Sequence, residues 1–115
     1  MKTIMIYEGE TIQSLPSFYM EDFGQRLDFH IINENTSAVD LTGYTVKIKA
    51  ISLYDGSTLF FKTCTVSDET AGYCYFIVSD TDFSEYGTFI CELELTMLTN
   101  KETISLGHLN LLENV

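Results

Sequence analysis

The chain has 115 residues, 17 acidic and 6 basic, for a formal net charge of −11. That length suits one domain spanning 1–115 around a single core, while 45% hydrophobic and 13% aromatic content excludes a disordered chain and one proline with seven glycines excludes low complexity. The acidic excess disfavours unassisted binding to nucleic-acid phosphates or anionic membranes and points to proteins as partners.

Thr3 to Tyr7 reads as a first strand. The apolar run around it is too short for a signal peptide, and no run in the chain approaches the length of a membrane span, so folding in a cytoplasm is expected. Gly9 to Asp22 has no regular period, contains the single proline and brings Leu15, Phe18, Tyr19 and Met20 close together. Two readings stand: a loop closing one end of the core, or an arm whose aromatic and methionine anchors dock on a neighbouring subunit.

From Gln25 the pattern becomes regular. Leu27, Phe29 and Ile31 share one parity in a second strand, Gln25 to Ile32, and Val46, Ile48 and Ala50 do the same in a third, Tyr44 to Ser52. Because successive side chains of a strand point to opposite faces, these segments describe sheets with one face in a core and one in water. Asp55-Gly56 marks a turn, since glycine accepts positive φ without steric cost, and a fourth strand follows from Leu59 to Val66.

After the turn Ser67 to Gly72, the fifth strand, Tyr73 to Val78, is apolar on both faces. That suggests cover from the opposite sheet on one side and from another chain on the other, with Tyr73, Tyr75 and Ile77 as contact residues. Ser79 to Glu85 reads as a short helical turn capped by Ser79, with Asp82 three residues on as the second member of the capping pair. Thr88 to Met97 alternates cleanly, with Phe89, Cys91, Leu93, Leu95 and Met97 inward and Ile90, Glu92, Glu94 and Thr96 outward. After a connection at Leu98 to Glu102, the last strand, Thr103 to Leu112, changes parity near Gly107, which predicts a β-bulge at Gly107-His108. About seven strands and no long helix give an all-β, immunoglobulin-like antiparallel β-sandwich.

No catalytic constellation stands out. His30 and His108 each lie in a strand pattern without a nucleophile or a ligand-spaced partner. Asp80, Asp82 and Glu85 lack the loop glycine of a calcium-binding EF-hand, and no glycine-rich phosphate cradle exists, so no metal and no cofactor is expected. Cys64, Cys74 and Cys91 are odd in number and without metal spacing; they read as free buried thiols, the alternative being a Cys74 to Cys91 disulfide between neighbouring strands in an oxidising compartment.

Several short motifs occur in a telling order. Arg26 to Ile31 leads to Val39-Asp40-Leu41-Thr42-Gly43 and the strand Tyr44 to Ala50; Thr70-Ala71-Gly72 precedes the aromatic-rich Tyr73-Cys74-Tyr75; Gly87-Thr88-Phe89 opens the long penultimate strand. Over Phe23 to Leu111 this order resembles the immunoglobulin-like N-terminal domain of phage baseplate upper proteins and related small virion proteins. The resemblance implies a non-enzymatic bacteriophage structural module of the tail, baseplate, neck or head surface, carried in the virion and assembled in the host cytoplasm. Its implied partners are other virion structural proteins and further copies of itself. A host-surface adhesin or carbohydrate-binding module is the alternative, with Tyr44, Tyr54 and Tyr73 as stacking faces.

Overall fold

The computed structural model describes residues 2–7, 10–11, 15, 17–33, 35 and 37–113, with no side-chain description for 2–7 and 10–11. Among the described residues ten strands run in chain order: β1 (Lys2–Tyr7), β2 (Glu10–Thr11), β3 (Phe18–Tyr19), β4 (Arg26–Ile32), β5 (Thr45–Ser52), β6 (Thr58–Thr63), β7 (Thr65–Asp68), β8 (Tyr73–Ile77), β9 (Gly87–Met97) and β10 (Asn100–Leu112). They form two five-stranded sheets, β2-β1-β4-β8-β7 and β3-β10-β9-β5-β6, here called the first and second sheets. Pairing is antiparallel except for β1 on β4 and β3 on β10, which are parallel.

The alternation read from the sequence is what builds the core. Leu27, Phe29 and Ile31 of β4 with Cys74 and Phe76 of β8 form the inner face of the first sheet; Val46, Ile48 and Ala50 meet Phe89, Cys91, Leu93 and Leu95 on the second. Ile104, Leu106, Leu109 and Leu111 of β10 extend that second layer. Facing sheets of this kind hold together by excluding water from both inner surfaces at once.

Four departures from the sequence reading have physical causes. The expected fourth strand is two: β6 pairs with β5 in the second sheet, Cys64 is buried at a break, and β7 pairs with β8 in the first. One stretch of chain thus crosses between layers, which a parity pattern cannot reveal. Ser79 to Glu85 forms turns rather than a helix, although the Ser79 N–H does donate to Asp82 Oδ2 at 2.8 Å, one half of the expected capping pair. The bulge in β10 lies one residue earlier than expected: Ser105 pairs with Glu92 and Gly107 with Cys91, so Leu106 is the extra residue and both Ile104 and Leu106 stay in the core. The β9–β10 connection is also tighter, since Asn100 already pairs with Met97.

The three cysteines are free and buried. Cys74 lies on β8 and Cys91 on β9, in opposite sheets and not on neighbouring strands, so the cross-strand disulfide has no structural basis.

Candidate interaction surface

The outward face of β8 carries Tyr73, Tyr75 and Ile77, with Tyr73 42% and Ile77 53% exposed. Register places His30 opposite Tyr73, Asp28 opposite Tyr75 and Arg26 opposite Ile77, so three cross-strand pairs make one continuous patch on the first sheet. The His30 and Tyr73 rings stack with centroids 4.1 Å apart and planes 12° from parallel. The Arg26 guanidinium carbon sits 3.8 Å from the centre of the Tyr75 ring while its Nε and Nη2 both reach Asp28 Oδ1 at 2.9 Å. A guanidinium held between a carboxylate and an aromatic face is largely fixed, which presents a rigid surface with little side-chain entropy left to lose on contact.

The other predicted contact residues go elsewhere. Leu15 and Phe18 are buried in the chain's own core, Phe18 against Phe83 with centroids 5.3 Å apart. Tyr19, next along β3, is 50% exposed. Met20 is half-buried; its N–H bonds the carbonyl of Leu112 at 2.9 Å. With Tyr54, Tyr86 and Phe89 it lines a cleft of about 500 Å³ at one end of the sandwich. The structure therefore joins Tyr73, Tyr75 and Ile77 on one face, sets Tyr19 and Met20 on the other sheet's margin, and withdraws Leu15 and Phe18 inward.

Arg26, Asp28 and His30 were missed as members of this surface. Their outward parity was visible, but their partnership with β8 was not, because the two strands are far apart in sequence. The three tyrosines considered as a sugar platform are dispersed: Tyr44 precedes β5, Tyr54 lies in the turn beyond its other end, and Tyr73 is on the other sheet, stacked on His30. Among the described residues no group of three or more acidic, histidine or cysteine side chains is arranged to hold a metal ion.

A family model described as the BppU N-terminal domain matches residues 7–111. Comparison with curated proteins gives no match. Among solved structures, the N-terminal domain of ORF48 of phage TP901-1 is similar, with a TM-score of 0.65 and 12% sequence identity over 96% of this chain and 98% of that one. At that identity the likeness speaks for the fold.

Proposed function

The chain belongs to the BppU N-terminal domain family, that of phage baseplate upper proteins, and from that premise we propose that it anchors neighbouring virion proteins through the outer face of the first sheet. Membership supports a structural role in a phage tail or baseplate. The finer assignment is carried by one observation: exposed Tyr73 and Ile77 flank half-buried Tyr75 in one stripe on the outer face of β8, held by Arg26 and His30 from β4. Aromatic groups on a stiff scaffold are what interface centres are made of, and no catalytic step is needed to use them.

In this reading the module works by binding alone, requires no cofactor, is assembled in the host cytoplasm and ends in the virion. Self-association is part of it, with Tyr19 and Met20 at the margin of the second sheet as the contact between copies. The decisive experiment is fractionation of particles made with wild-type chain or with Tyr73→Ser/Ile77→Ser. The wild type should sediment with virions and the variant should remain at the top of the gradient with an unchanged melting temperature. A variant that incorporates as well as wild type moves the interface away from β8.

A further inference from the structure

Asp82 is 2% exposed and is the buried charged side chain among the described residues. Its Oδ2 accepts the Ser79 N–H at 2.8 Å, and the Asp82 N–H donates to the Ser79 carbonyl at 3.2 Å, which closes the turn after β8. Oδ1 accepts no hydrogen bond. The nearest cation is Lys62 Nζ at 3.8 Å, beyond hydrogen-bond reach, on a side chain 51% exposed.

The turn does not account for the charge: one acceptor oxygen is enough to cap the Ser79 N–H, and asparagine or serine would supply it without a buried anion. Asp82 and Lys62 line a cleft of about 340 Å³ together with Thr63, Thr65, Tyr75 and Ile77. That cleft lies where the chain crosses between sheets and opens beside the β8 stripe. The neighbouring face holds a working example of what fits such a place, since Arg26 bonds Asp28 while stacking on Tyr75.

We propose that this cleft receives an arginine side chain from another virion protein, whose guanidinium donates to Asp82 Oδ1 and displaces the loosely held Lys62. A planar fork of donors can fill an acceptor that a point-charge ammonium at 3.8 Å leaves unfilled. A second copy of the chain cannot supply it: Arg26 is the sole arginine in the sequence, and it is engaged with Asp28 and Tyr75. The excess of negative charge on this chain, −11, favours a basic partner electrostatically. This inference rests on the reading that the β8 side of the first sheet meets another virion protein, and it names the chemistry of that contact.

The test is a titration of the full isolated chain with Nα-acetyl-arginine methylamide, followed by amide and carboxyl NMR shifts, against sodium chloride at equal ionic strength. Saturable shifts confined to Lys62, Thr63, Ser79 and Asp82 are expected with the arginine derivative, and at least threefold tighter binding in Lys62→Gln, where the internal competitor is gone. Asp82→Asn should abolish the shifts. Should that variant fail to fold, Lys62→Gln decides: binding unchanged or weaker overturns the proposal, as do equal shifts with salt. Sedimentation showing self-association lost in both Asp82→Asn and Lys47→Gln/Lys49→Gln would assign the cation to a second copy and overturn the choice of partner. A failed titration with Tyr73→Ser/Ile77→Ser still lost from particles defeats this inference alone; a normal titration with that variant incorporated as well as wild type defeats the broader reading instead.

Discussion

Gly72 shows how much a single position can carry. Its φ is +75°, and a Cβ there would stand 2.6 Å from the carbonyl oxygen of Ile31 and 2.9 Å from that of Val39. The Gly72 carbonyl accepts the Ile31 N–H at 2.9 Å, and the Val39 N–H bonds the Ile31 carbonyl at 3.0 Å, so the turn, β4 and the linker are clasped at this point. Gly72→Ala should destabilise the fold by more than about 1 kcal/mol in chemical denaturation, because backbone on two sides must move. The sequence displayed a turn glycine; the clash was invisible in it, since the crowding atoms come from segments more than thirty residues upstream. In the same linker Asp40 Oδ1 accepts the Thr42 hydroxyl at 2.6 Å and the Thr42 N–H at 2.9 Å, bonds that hold its carboxyl below the usual range. A pKa lowered on folding adds stability that is complete above the unfolded value, about 3.9 for aspartate, and is lost as pH falls through the folded one. Thr42→Val should raise the Asp40 carboxyl midpoint in an NMR titration and leave less of the acid destabilisation to this site. Burial pushes the thiols the other way, Cys74 and Cys91 up to about 12 and Cys64 higher still. Native protein should therefore resist thiol reagents and melt at the same temperature with or without reductant; a drop on reduction would contradict the free thiols.

At the scale of the strand, β9 was the most legible element and also gives the sharpest test. Leu93 is fully buried between Ile48 and Ile104 in register, whereas Glu92 and Glu94 alternate outward, Glu94 pairing with Lys101 at 3.1 Å. Leu93→Ala should cost about 2 to 5 kcal/mol as a buried truncation, and Glu92→Ala or Glu94→Ala under about 1 kcal/mol each, the half-exposed Glu94–Lys101 ion pair included. Denaturation ranking the glutamates as the worse losses would invert the face assignment. Parity exposes such strands because burial on one side imprints a period of two; it says nothing about neighbours. Hence β4 and β8 were each recognised while their pairing was not, and the segment Leu59 to Val66 read as one strand although its halves belong to different sheets.

For the whole molecule, the segment before β4 divides between inside and outside. Phe18 packs on Phe83, which also meets Phe60, so Phe18→Ala should cost about 3 to 5 kcal/mol and lower the melting temperature. Tyr19→Ala removes an exposed ring and should leave stability within about 0.5 kcal/mol while weakening contact between copies, read by sedimentation. Equal losses of stability in both would make the segment wholly internal. Clustered apolar residues without a period look alike in sequence whether they close a core or meet a partner; what separates Phe18 from Tyr19 is the two-residue pairing of β3 with β10, too short to leave a pattern. The crossing of the chain at Cys64 has a wider consequence. On one side of the sandwich the two sheets end in the consecutive strands β7 and β6, and on the other they end in the two-residue β2 and β3. Of these margins only β6 offers six residues, and it carries Lys62 and a bulge against β5. Among the described residues these end strands offer little backbone to a further strand, whereas β10 meets β3 only at Leu111 and Leu112 and β1 meets β2 only at Ile6 and Tyr7. Strand addition to either sheet is therefore a matter of the partly covered β1 and β10, and not of the side on which the chain crosses between layers.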